Sequence, residues 1–152
     1  MIDKKTILKK GFTLIELLVV IMIIMALAGL VVGGAQKARQ RALVAKAKAA
    51  IASLETGLSM YELDYGYYPD APISNVVTLL SKDPGEEDDT WNGPYVMFKE
   101  EDLKDGNLID PWGNPYEYAN PGSAEHGHDR YIDIWSKGPD GTDGGGDDII
   151  NW

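Results

Sequence analysis

From Phe12 to Ala35 the chain is a run of 24 residues that carries one charge, Glu16. As a helix this run would be ~36 Å long, enough to cross ~30 Å of hydrocarbon with some tilt. A secretory signal peptide has an apolar core of only ~7–15 residues, followed by a small-residue cleavage site. The run here is longer, so the segment is expected to stay in a membrane at first. In hydrocarbon a carboxylate costs at least ~2.5–3.5 kcal/mol on insertion scales, which makes a lone one a functional candidate. The plainer alternative is a protonated, inert Glu16 near the interface. Gly29 and Gly33 form a small-xxx-small pair that permits close helix approach in lipid, with Gly34 beside them. They equally soften the helix locally. Lys4, Lys5, Lys9 and Lys10 precede the span and Lys37, Arg39 and Arg41 follow it. Charge alone therefore gives only a slight preference for a cytoplasmic N-terminus.

The helical pattern continues past the membrane. No proline occurs before Pro69, and residues 36–50 are rich in strong helix formers. Val44, Ala47, Ile51, Leu54, Leu58, Tyr61 and Tyr65 then recur at alternating spacings of three and four. That is one apolar stripe on an amphipathic helix. The pattern predicts a single helix from about Thr13 to about Tyr65, its outer half laid on a small domain. A coiled-coil seam would also show such a stripe. The short stripe and the strand-rich segment after it favour a domain core.

All eight prolines and 12 of the 17 glycines lie from Gly66 onward, so short turns and strands should dominate there. Asn75 to Leu80 reads as a short helix with Ser74 as N-cap. Gly85 to Asp89 reads as an acidic loop. Pro94–Phe98, Pro115–Ala119 and Tyr131–Ser136 read as strands, with Trp112-Gly113-Asn114 as the turn before the second. The expected fold class is α+β: a long helix packed on a small antiparallel sheet. The parts expected are residues 1–11, the membrane half 12–35, the amphipathic half 36–65 and a head at 66–152.

The net charge of −10 divides unevenly. Residues 1–50 hold nine Lys/Arg and two acids, +7, while residues 51–152 hold five and 22, −17. So acidic a head argues against nucleic acid and favours cations or basic partner surfaces. There is no cysteine, which removes disulfides and thiol chemistry. No nucleophile elbow, phosphate loop or paired-carboxylate cleft stands out, so no enzyme is expected. His126, His128 and Asp129 invite a zinc reading, but zinc wants four ligands and no thiols exist. An exposed loop histidine pair fits better. Trp91, Trp112, Trp135 and Trp152 read as packing residues rather than a sugar platform.

Ser136 to Trp152 places Asp140, Asp143, Asp147 and Asp148 among five glycines. Calcium takes ~6–8 hard oxygens from carboxylates and backbone carbonyls, and glycines let a loop turn its carbonyls inward. The alternative is a frayed acidic end. Against that, Ile149, Ile150 and Trp152 suggest that the end docks back on the head. The spacing is not that of an EF-hand.

The four lysines, the Gly11-Phe12 junction and the Gly-Phe-Thr-Leu-Ile-Glu string ending at Glu16 resemble the leader and N-terminal segment of type IV pilins and pseudopilins. Further on come Tyr67-Tyr68-Pro69, Trp91-Asn92-Gly93-Pro94-Tyr95, Asp110-Pro111-Trp112-Gly113-Asn114-Pro115-Tyr116, Pro121-Gly122 and Ser136-Lys137-Gly138-Pro139-Asp140-Gly141. That succession resembles the G-type major pseudopilins of type II secretion. Two segments depart from the family pattern: Ile73–Lys82 differs from its usual helix, and the Gly144–Asp148 tail is shorter than in many members.

The resemblance implies a precursor cut by a prepilin peptidase between Gly11 and Phe12, with methylation of the new N-terminus at Phe12. It implies an inner-membrane protein with a cytoplasmic N-terminus and a periplasmic head. Glu16 would meet the Phe12 amine of a neighbour as subunits polymerise into a periplasmic pseudopilus that drives export. Partners implied are further copies of the chain, minor pseudopilins, the peptidase and the inner-membrane assembly platform. A calcium ion is implied in the C-terminal loop, with Asp140, Asp147, Asp148 and Ser136 as ligands. Asp143 and the backbone at Lys137 and Gly145 are secondary candidates. The alternatives are an adhesive or motility pilin, which often carries a disulfide loop absent here, and a membrane-tethered calcium-dependent binding module.

Overall fold

A computed structural model describes residues 11–70, 72–85, 89–123 and 132–152, with backbone alone at 30–33. Most of the leader, the centre of the acidic loop at 86–88, His126, His128, Asp129 and Tyr131 lie outside the described residues, as does the Gly33 side of the small-residue pair. The chain divides into two compact units, Met1–Gln40 and Arg41–Trp152. Helix α1, Leu14–Tyr65, contributes to both and matches the expected span to within a residue.

In the first unit the large apolar side chains from Phe12 to Leu27 are exposed, Leu14 by 82%. Among the described residues, none buries the apolar window of this helix. Such a surface suits hydrocarbon, where intrahelical bonds satisfy every backbone group.

In the second unit the stripe faces inward. Ala47, Ile51, Leu54, Leu58 and Tyr61 are buried, with Val44 and Tyr65 partly buried at its ends. Full burial of each large side chain contributes about 1.5–3 kcal/mol. Gly57 sits within this face because a Cβ there would overlap Val96 Cγ2 and touch Leu80 Cδ1 at 3.5 Å. The missing side chain lets the 95–96 segment close on the helix.

Helix α2, Ile73–Ser81, buries Ile73, Val76, Val77 and Leu80 against the same core. Its N-cap is Pro72 rather than the expected Ser74. Pro72 has no N–H to lose, and its carbonyl accepts from Asn75 N at 3.0 Å. Starting there makes Ile73 helical, which its burial requires. Pro94–Phe98 is not a strand. Tyr95 N and Val96 N both donate to Leu80 O, at 2.8 and 3.1 Å, so this stretch hangs on the end of α2 instead of a sheet.

After a 3-10 turn at Glu100–Asp102, strands β1 (Leu103–Lys104) and β2 (Asn107–Leu108) form an unanticipated hairpin. Asp105 and Gly106 turn it with φ of 52° and 81°. Asp-Gly is the signature of such a turn. Strands β3 (Glu117–Ala119), β4 (Asp133–Ser136) and β5 (Ile149–Ile150) make an antiparallel sheet in that order. The second predicted strand is shorter than expected at its start. Pro115 bridges Ile109, and Tyr116 N donates to Leu108 O at 2.9 Å, so both face the other side. β5 returns the chain end to β4 through Trp135↔Ile150 and Ser136↔Ile149.

Burial pushes the Tyr116 and Tyr118 phenols up, beyond the ordinary range, with Asp110 and Asp102 adding to the first. The Tyr118 hydroxyl donates to Pro69 O at 2.8 Å. Unfolded phenols ionise near ~10 while these keep their protons. Both pKa values are thus raised on folding, so the stability they carry is whole below pH ~10 and is lost as pH climbs through the folded values. Lys137, raised by its bond to Glu117, acts in the same direction. Melting of the full chain in micelles should be level up to about pH 9 and fall beyond about pH 10. Tyr118→Phe should melt lower at neutral pH but lose part of that alkaline fall; an unchanged alkaline slope would contradict this assignment.

Candidate functional site

Two places carry the predicted residues, one in each unit. At the start of α1, Thr13 N and Thr13 Oγ1 donate to Glu16 Oε2 at 2.8 and 2.7 Å, and Glu16 N donates to Thr13 Oγ1 at 3.3 Å. This is a capping box, in which a Thr and the Glu three residues on satisfy each other's backbone donors. The helix N-terminus adds a favourable partial positive charge. Phe12, next to the box, is 73% exposed. Glu16 is thus held in a defined place beside the Gly11-Phe12 junction. The Thr-x-x-Glu spacing is itself the sequence signal of this box, here masked by the apolar residues that flank it.

The second place is the loop between β4 and β5. Asp140 and Asp147 come together over Gly145. A Cβ on that glycine would lie 2.5 Å from Asp140 Oδ2 and 2.9 Å from Asp147 Oδ1. Asp140 N donates to Asp147 Oδ2 at 3.2 Å, and Asp140 Oδ1 accepts from Thr142 N at 2.7 Å. Asp148 Oδ2 accepts from Gly144 N at 2.8 Å, while its Oδ1 is buried with no hydrogen-bond partner among the described residues.

The remaining candidates are placed differently. Asp143 accepts from Trp135 Nε1 at 3.1 Å. With Asp148, Trp135, Ile150 and Trp152 it lines a cavity of about 320 Å³ beside the same loop. Lys137 pairs its ammonium with Glu117 at 2.7 Å. Ser136 is fully buried; its hydroxyl donates to Asp110 Oδ2 at 2.6 Å and accepts from Gly138 N at 3.1 Å.

Among the described residues, no three acidic or imidazole groups enclose a metal by themselves. The donors present nonetheless fit a hard cation. They are oxygen only, two carboxylates converge, and Asp148 Oδ1 is an orphaned buried acceptor. Loop carbonyls would have to complete the shell.

Comparison with known proteins decides the family. Residues 35–152 match the model described as type II secretion system (T2SS), protein G, and residues 8–32 match the prokaryotic N-terminal methylation motif. The chain belongs to the type II secretion system protein G family. Its G-family relatives include a type II secretion system core protein G of Pseudomonas aeruginosa, 38% identical over 152 residues and covering 95% of each chain. Another, from Pectobacterium carotovorum subsp. carotovorum, is 39% identical over 148 residues, covering 95% of this chain and 85% of the relative. A crystal structure of the major pseudopilin from the type 2 secretion system of enterohaemorrhagic Escherichia coli is similar at 30% identity, covering 77% of this chain and 92% of that one, with a TM-score of 0.47. The G-family match begins at residue 35 and the methylation motif ends at residue 32, so the two divide the chain close to the end of the apolar run.

Proposed function

We propose that this chain is the precursor of a major pseudopilin, a structural subunit that polymerises into a periplasmic pseudopilus and drives protein export across the outer membrane. The observation that carries the proposal is one carboxylate, Glu16, among the exposed apolar side chains from Phe12 to Leu27, close behind the Gly11-Phe12 junction. A prepilin peptidase would remove residues 1–11 and methylate Phe12. The new amine on Phe12 is cationic, and in a filament it would pair with Glu16 of a neighbour. Two charges that lose their water are tolerable only when paired with good geometry, so the unpaired state drives assembly. Residues 12–35 hold the subunit in the inner membrane, N-terminus in the cytoplasm, until it is drawn into the fibre. Residues 36–65 carry the head, 66–152, into the periplasm. Contacts between copies are heterologous and non-closing, the condition for a filament. Minor pseudopilins and the inner-membrane assembly platform would supply its tip and base.

The C-terminal loop would hold calcium through Asp140, Asp147 and Asp148, with backbone oxygens near Lys137 and Gly145. Bound there, the ion supplies positive charge that relieves carboxylate repulsion. In a chain without cysteine, the ion-bound loop would tie β5 to β4 in place of a disulfide.

Intact mass of the chain purified from cells with an active peptidase tests the first step. The expected product starts at Phe12 and carries one added methyl. A mature chain that keeps residues 1–11 would refute it.

A further inference from the structure

We propose that Asp110 is a positioning residue for the C-terminal loop, acting through Ser136 and Asn114. The proposal rests on the calcium reading above. Asp110 is only 5% exposed. A buried carboxylate is costly unless its lone pairs are satisfied. Here they are. Oδ1 accepts from Trp112 N and Asn114 N, both at 2.9 Å, and Oδ2 accepts from Ser136 Oγ at 2.6 Å. Asp110 N donates to Asn114 O at 2.7 Å, which closes the turn.

A turn needs only Oδ1. Oδ2 serves the loop. The Ser136 hydroxyl that donates to it accepts from Gly138 N, a backbone donor at the mouth of the loop. The Asn114 side chain, carried by the same turn, lies against Gly141, where a Cβ would be 3.4 Å from its Nδ2. Asp110 therefore sets the places of Gly138 and Gly141 together, and Asp140 stands between them. The partner of Asp140 over Gly145 is Asp147, so one buried carboxylate indexes the meeting of the two. Ser136 acts in this chain as a relay through its hydroxyl. The Asp-Pro-Trp-Gly-Asn block is thereby joined to the acidic tail.

The test is calorimetric titration of the full-length chain in detergent micelles with calcium chloride, for the wild type, Asp110→Asn, Ser136→Ala and Asn114→Ala. Asp110→Asn keeps the side-chain shape and an acceptor for the two turn N–H groups. Loss of an outer-shell partner typically costs ~10–100-fold in metal affinity. Asp110→Asn and Ser136→Ala should each bind at least about tenfold more weakly, and Asn114→Ala more weakly than wild type. Wild-type affinity in folded Asp110→Asn and Ser136→Ala, with melting lowered equally in calcium and in chelator, would overturn the proposal and leave Asp110 a brace of the fold. If Asp110→Asn does not fold, Ser136→Ala decides. A wild-type chain that binds no calcium overturns the ion reading itself, and this role with it.

Discussion

Glu16→Ala should yield processed subunits that stay in the membrane and form few or no fibres. Removing one partner of a buried ion pair costs about 3–5 kcal/mol, because the other charge remains buried and unpaired. Each ~1.4 kcal/mol is tenfold in an equilibrium constant, so the loss at each subunit contact exceeds about 100-fold. Glu16→Ala also removes the glutamate half of the capping box with Thr13, which loosens the helix end. Glu16→Gln separates the two effects. Glutamine can fill the capping position but carries no charge. Both variants should therefore fail to assemble, measured as the fraction of the chain in sedimenting fibres. Normal fibres from Glu16→Gln would assign Glu16 to capping alone.

Calcium should raise the melting temperature of the full chain, and Asp140→Ala or Asp148→Ala should abolish the rise. A ligand at 100 times its dissociation constant stabilises by ~2.7 kcal/mol. For a unit of this size, 1 kcal/mol moves the midpoint by roughly 3–4 °C, so the shift should be about 10 °C. Tryptophan fluorescence reads it well, because Trp135 and Trp152 meet edge to face at 6.1 Å beside the loop. Without the ion, Asp140 and Asp147 repel at Gly145; with it, that repulsion becomes attraction. Melting curves that superimpose in calcium and in chelator would reduce the loop to a solvated turn.

The long helix was legible because its signals are local and repeated. The stripe from Val44 to Tyr65 reads directly as the buried face. The docking of the chain end was legible too, since Ile149 after an acidic loop has no reason to be apolar unless it is covered. The head's strands were less so. Pro94–Phe98 has strand composition, yet its backbone donors go to Leu80 O at the end of a helix, a tertiary contact that no local pattern encodes. The β1–β2 hairpin leaves only Asp105-Gly106 as a local signal, because strands two residues long are too short to show an alternating pattern. At the loop, composition named the carboxylates but not their neighbours. That Ser136 bonds Asp110, 26 positions away, follows from the sheet bringing β4 beside the 110–114 turn.

Whether this chain builds a filament is read most directly by electron microscopy of fibres from cells that express it with its secretion machinery and peptidase. Helical fibres built of this chain are expected, each copy beginning at Phe12, with α1 inside and the heads outside. A chain that is cut after Gly11 yet remains wholly in the membrane as single subunits would contradict this.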